Sequence, residues 1–213
     1  MKKFLSLFIL FLFLVPGCSN KGYKDIPPKT KHTDNDAMIS PINTKNIDEY
    51  MFRDDVQYVD LRNSESILND GYIAGFEFIP YYSIIASFSE HDALFQMKST
   101  KDSDGKTIHA GQVGGFIAQY EESEKMIENL FSKEKYIFLI SVGGSESAYL
   151  INLLIQLGYN GELLYNVGGV SNNDGVESYT NISSNRYYVK GHPGIQASVE
   201  YGLLGTLTPI NFE

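Results

Sequence analysis

Apolar residues along this chain gather into short runs separated by polar turns, and their spacing predicts alternating strands and helices. Val56-Gln57-Tyr58-Val59-Asp60 reads as a compact strand ending in a charged residue. Ahead of it, Asn46 followed three residues on by Glu49 has the spacing of a capped helix start, which predicts a short helix to about Arg53. Behind it come a short helix near Glu65 to Asn69, a turn at Asp70-Gly71, and a second strand from Phe76 to Ile79 closed by Pro80. The longest helical period runs from Gln119 to Ser132: Met126, Ile127, Leu130 and Phe131 share one face, while Glu121, Glu122, Glu124 and Glu128 mostly take the other. It leads into Tyr136-Ile137-Phe138-Leu139-Ile140, whose unbroken apolar character suits a strand covered on both faces. A polar turn, Ser141 to Ser147, separates this strand from an apolar helix over Ala148 to Leu157, which Gly158 ends. A further strand, Glu162 to Asn166, stops at Gly168-Gly169. Strands and helices alternating through short turns predict one α/β domain of three layers, with a central, mostly parallel sheet and helices on both faces.

The first residues follow a different pattern. Lys2 and Lys3 precede an apolar run from Phe4 to Val15, relieved by Ser6 and too short to span a bilayer as a mature helix, which reads as a secretory leader. It stops at Pro16-Gly17-Cys18. A small residue directly before a cysteine here resembles the lipobox of bacterial lipoproteins, although Pro16 stands where Ala, Ser or Thr is usual. The resemblance implies a signal peptide over residues 1–17, cleavage before Cys18, diacylglycerol on its sulfur and a fatty acyl group such as palmitate on the new amino terminus. The protein is then expected to be extracytoplasmic and held to the cell membrane by lipid at Cys18. Residues 18–41 are polar, contain Pro27-Pro28 and lack any period, so they read as a flexible linker.

Composition narrows the function classes. Of 213 residues, 43% are hydrophobic, enough for a packed core and against a wholly disordered chain. Acidic side chains number 26 against 17 basic ones, a formal charge of -9, so no basic surface is available for phosphate backbones and nucleic acid is not an expected partner. The single cysteine excludes an intrachain disulfide framework and a thiolate metal cluster. Histidines 32, 91, 109 and 192 show no paired spacing. Asp102-Ser103-Asp104-Gly105 resembles the start of a calcium loop, but the twelfth position would be Gly111 where a bidentate Glu is needed. Gly105-Lys106-Thr107 lacks the upstream glycine of a phosphate-binding loop. No metal and no cofactor are predicted.

Two blocks within residues 42–170 resemble the rhodanese-like domain family. The first is Tyr58-Val59-Asp60-Leu61-Arg62 with Gly71-Tyr72-Ile73-Ala74-Gly75-Phe76 and Phe78-Ile79-Pro80. The second is the central strand, the turn Ser141-Val142-Gly143-Gly144-Ser145-Glu146-Ser147-Ala148, and Leu164-Tyr165-Asn166 with Gly168-Gly169. In the family that turn reads Cys-x-x-Gly-x-Arg-Ser. Gly144 and Ser147 match it, Ser141 stands in the place of the nucleophilic cysteine, and Glu146 in the place of the arginine. A cysteine thiolate at a helix N-terminus can carry sulfane sulfur as a persulfide, whereas a serine hydroxyl is not ionised at neutral pH and has no such carrier. Glu146 would repel an anionic sulfur or phosphate donor. The resemblance therefore implies an active-site-like turn without a catalytic residue, and Asp60 with Arg62 reads as an ion-pair buttress. The expected protein is a pseudoenzyme acting in binding or recognition at the cell envelope, its partner an envelope protein or a small ligand.

Two other functions fit parts of the sequence. A partner's thiol delivered to the turn would keep a sulfur-handling role. Gly143-Gly144-Ser145-Glu146-Ser147, followed by Asp174 and His192, is one glycine short of a serine hydrolase elbow with Ser145 as nucleophile. The stretch from Ala86 to Gln119 exceeds the family's usual link and is a candidate lid over the Ser141 turn. Residues 171–213 form an extension rich in tyrosine, expected to pack on the same domain.

Overall fold

The computed structural model describes residues 22–29, 37–86, 92–101, 103–105, 107–109, 115–170, 178–181, 185–191 and 204–211. The elements are the strands β1 (Val56–Asp60), β2 (Tyr72–Ile73), β3 (Glu77–Phe78), β4 (Ile85–Ala86), β5 (Phe95–Met97), β6 (Ser99–Lys101), β7 (Thr107–His109), β8 (Phe116–Ala118), β9 (Tyr136–Ser141), β10 (Leu164–Gly169) and β11 (Tyr188–Val189). The helices are α1 (Ser64–Asp70), α2 (Tyr81–Ile84), α3 (Ser123–Leu130) and α4 (Ser145–Gln156). β10, β9, β1 and β3 lie in that order in one sheet, all parallel. The fold is thus α/β with a parallel four-stranded centre. β9, the most apolar strand, sits inside it because both of its faces must be covered.

Alternation along the strands builds two cores. Ile137 and Leu139 of β9 join Val59 of β1, Leu164 of β10, Ile127 of α3 and Leu150, Ile151, Leu153 and Leu154 of α4. Phe138 and Ile140 point the other way, against Val56, Tyr58, Tyr165 and Val167. Among the described residues, no α-helical one enters this second core. It is closed instead by Ile42, the 3-10 turn Ile47–Tyr50, Ile73, Phe76 and Tyr179. Asn46 does not cap a helix, because its Oδ1 accepts from the Asn43 amide and its Nδ2 donates to Pro41 O. The chain there is spent on turns.

Other boundaries move for identifiable reasons. α1 starts on Asn63, whose side chain accepts from the Ser66 amide at 2.8 Å. α3 starts four residues later than its period suggests: Tyr120 bridges to Pro209 and the Ile210 amide donates to Gln119 O, so the C-terminal extension claims that backbone. α4 takes in the polar Ser145 to Ser147 as its first turn. β10 runs through Gly168 and Gly169, with a bulge at Val167. Within residues 86–119, β5 pairs with β4 and β8, and β6 pairs with β7.

Residues 22–29 are extended and held to the domain along their length. Tyr23 donates to Phe52 O, the Arg53 guanidinium donates to Lys24 O, Tyr165 donates to Pro27 O, and Lys29 donates to Gly161 O. This part of the expected linker is a strap. Of the extension, Tyr179 is buried, β11 pairs with β2, and Glu122 accepts from both the amide and the hydroxyl of Thr208.

The Thr208 amide, then its hydroxyl, hold the Glu122 carboxyl below its ordinary 4.5. A depressed folded-state value means that this attachment is complete above the ordinary value and is lost as pH falls through the lower one. Acid titration followed by NMR should show the Thr208 amide moving before the core unfolds, and Glu122→Gln should abolish that step. A Thr208 signal indifferent to both would contradict the assignment.

Candidate functional site

The residues singled out by sequence converge on the carboxyl-terminal edge of the sheet, where its four parallel strands end side by side. Leu61 donates to Ile140 O, the Ile79 amide to Asp60 O, the Tyr81 amide to Leu61 O, and the Val170 amide to Ser141 O. These bonds stitch the segments that follow β1, β3, β9 and β10 into one rim. Crevices outside this end of parallel strands are where open α/β sheets take ligands.

Ser141 closes β9 and is 1% exposed. Its Oγ accepts from the Gly144 amide at 2.8 Å, turning the chain from strand to helix. Gly144 stands at φ 93°, a left-handed conformation that side chains disfavour. A Cβ there would lie 3.0 Å from the Ala37 methyl and 3.2 Å from Asn166 Oδ1. Asn166 of β10 holds the turn from the other side: its Nδ2 donates to Gly144 O at 2.8 Å and its Oδ1 accepts from the Gly168 amide. Gly169 is required by proximity, since a Cβ on it would meet Val142 O at 2.2 Å. Sequence reading placed Asn166 in the right block but not in this role. The Asn-x-Gly-Gly run from Asn166 to Gly169 is the available signal.

The helix then begins with Ala148 donating to Gly144 O, so the amides of Ser145, Glu146 and Ser147 precede its first internal bond. Glu146, in that first turn, suits the positive end of the helix. It also faces Tyr81. Burial, reinforced by the Glu146 carboxylate, pushes the Tyr81 hydroxyl well above its ordinary 10.0, so Tyr81 stays a neutral donor. Ser145 is exposed and has no positive φ; the left-handed position of the turn is Gly144, not the serine that the hydrolase reading requires. Asp174 and His192 of that reading lie outside the described residues, as do Cys18, residues 1–17 and histidines 32, 91 and 192.

Asp60 and Arg62 form a buttress with both side chains fully buried. Arg62 Nη2 donates to Asp60 Oδ2 at 2.7 Å and to Gly71 O at 2.8 Å, while Nε spans both carboxylate oxygens. Arg62 Nη1, Tyr81 OH and Ser147 Oγ are buried and find no partner among the described residues. The pair ties the end of β1 to the turn after α1.

The segment proposed as a lid is anchored elsewhere. Gln156, at the far end of α4, accepts from the Phe116 amide at 2.8 Å and donates to Phe116 O at 2.9 Å. Leu94, Phe95 and Phe116 are buried in the first core. The described ends of this segment are therefore structural. Residues 110–114 lie outside the described ones.

A cleft of about 600 Å³ occupies the opposite edge of the sheet, lined by Gln57, Glu77, Glu128 and Lys135 among others. Its central amide is already committed, because Gln57 donates to Glu77 and Leu130 O and accepts from the Ser132 amide. Among the described residues no group of three or more His, Cys, Asp or Glu side chains could hold a metal ion. No described helix is long and apolar enough to cross a membrane.

Comparison of the chain with protein-family models, with curated proteins and with solved structures finds no match.

Ser141→Ala should leave the buried Gly144 amide without its acceptor and cost about 1–3 kcal/mol. Asp60→Ala should cost more, about 3–5 kcal/mol, by leaving the Arg62 guanidinium buried and unpaired. Urea unfolding of both variants checks the order. A harmless Asp60→Ala would contradict the buttress.

Proposed function

We propose that this chain is a lipid-anchored extracytoplasmic protein with a rhodanese-like domain that does not transfer sulfur and acts in recognition, its partner an envelope protein. The observation that carries the reading is the state of the Ser141 hydroxyl, buried and engaged with the Gly144 amide at the base of the strand-to-helix turn. The family resemblance puts a sulfur nucleophile at that position, and here an oxygen serves the backbone instead. In support of the resemblance, its separated blocks end on one rim: Asp60 and Arg62 after β1, Ile79 and Pro80 after β3, the turn after β9, and Gly168 and Gly169 on β10.

A protein partner fits the rim better than a small ligand, because the turn is filled. Gly144 is gripped by Ser141 and Asn166 and lies against the Ala37 methyl. Around it, apolar side chains face solvent: Met38 and Ile39, which follow Ala37, are 83% and 49% exposed, and Tyr82, beside Tyr81, is 65% exposed. Exposed large apolar groups around a closed rim favour contact with another protein surface. Anchoring at the membrane rests on the lipobox-like Pro16-Gly17-Cys18.

The purified chain should form no thiocyanate from thiosulfate and cyanide, and Ser141→Cys should fail to gain that activity because Glu146 opposes the anionic donor. Turnover by the parent chain would overturn the reading. Metabolic labelling should place fatty acid on the chain and not on Cys18→Ser, and an unlabelled parent would remove the anchor.

A further inference from the structure

The strap runs along one edge of the sheet and the Ser141 turn lies on the other. Tyr23 and Lys24 meet Phe52, Arg53, Glu49 and Tyr50, which precede β1 in the chain; Pro27 and Lys29 meet Tyr165 and Gly161, at the start of β10. Both ends of the strap therefore sit where parallel strands begin. The turn, the Asp60–Arg62 pair and Gly169 sit where they end. The six residues of β9 put about 20 Å between the two edges, at about 3.3 Å per residue.

The strap is held by several independent contacts. The Arg53 guanidinium lies 4.9 Å from the Tyr23 ring centroid while donating to Lys24 O at 2.6 Å, and Asp55 fixes the same guanidinium through two further bonds. Lys24 pairs with Glu49. Ile26 packs against the second core, and the hydroxyl of Tyr165, a residue 1% exposed, reaches Pro27 O at 2.8 Å. Lys29 donates to Gly161 O and lies over the Tyr165 ring.

From this arrangement we infer that the strap orients the domain on the bilayer, holding the strand-start edge against the lipid surface and presenting the Ser141 rim away from it. The inference rests on lipid attachment at Cys18, as proposed above. Three residues, Ser19 to Lys21, separate Cys18 from Gly22, and the four Cα-to-Cα steps reach at most about 14 Å. A linker free from residue 18 to residue 41 would let the domain tumble; a strap docked from Gly22 onward leaves a tether shorter than the domain is tall. The rim is then turned toward partners in the extracytoplasmic space, where a recognition surface is of use.

The single native cysteine makes the test direct, because a lipidated Cys18 leaves no free thiol. The lipidated full chain is placed in phosphatidylethanolamine and phosphatidylglycerol vesicles carrying an acceptor dye on a lipid headgroup. A donor dye is attached through Lys135→Cys, on the strand-start edge, or through Tyr82→Cys, beside the rim. Energy transfer to the membrane is expected to be several-fold greater from position 135 than from position 82. Adding Arg53→Ala and Tyr165→Phe together should abolish that difference, and should speed tryptic cleavage after Lys24 in detergent, since cleavage there follows opening of the strap. Equal transfer from the two positions in the lipidated parent, or cleavage after Lys24 unaffected by the double substitution, would overturn the orientation. Dye attaching to the chain without either introduced cysteine would show Cys18 to be free, and the anchor and the orientation would fall together while the strap's protection from trypsin would stand.

Discussion

The turn between β9 and α4 is closed by one short bond, from the Gly144 amide to the Ser141 hydroxyl, inside a shell that excludes water. Without an acceptor at that point a buried amide would be unsatisfied. Asn166 grips the same glycine from the neighbouring strand, so the bond also sets how β10 meets β9 at the rim. The rim's positions, from Arg62 to Gly169, follow from this closure together with the buried Asp60–Arg62 pair.

The chemistry follows from the same bond. A hydroxyl that serves as a backbone acceptor has its oxygen directed at the turn, and the carboxylate of Glu146 raises the cost of bringing an anion near the helix start. On the proposed reading, both features stand against sulfur transfer at this turn. What remains is a rigid rim with apolar groups around it. At the other edge of the sheet, residues 22–29 are held through bonds of Arg53, Tyr165 and Lys29.

Much of the sheet was legible in the sequence, because continuous apolar runs such as Val56–Asp60 and Tyr136–Ser141 have few alternatives to buried strands. α4 was legible for the same reason, apart from its polar first turn. Where prediction and structure part, the deciding contacts are distant in the chain. α3 loses its first turn to Pro209 and Ile210, and the three-residue strands at Phe95 and Phe116 form by pairing with each other and, for β5, with β4. Among the described residues no α-helix joins the second core, where the side chains of Asn43 and Asn46 bond within turns. Residues 22–29 show no period because they are held by Arg53, Tyr165 and Gly161 rather than by their own pattern. For the site, the sequence named the turn and the buttress, but the grip of Asn166 and the approach of Ala37 depend on tertiary placement.

The central claim, that the Ser141 oxygen belongs to the turn, is tested most directly by hydrogen exchange at the Gly144 amide of the unmodified protein. The account predicts exchange as slow as that of the β9 core amides, because releasing this proton requires opening the sheet's end. Exchange at the rate of a solvent-exposed amide would leave the hydroxyl free for chemistry and contradict the account.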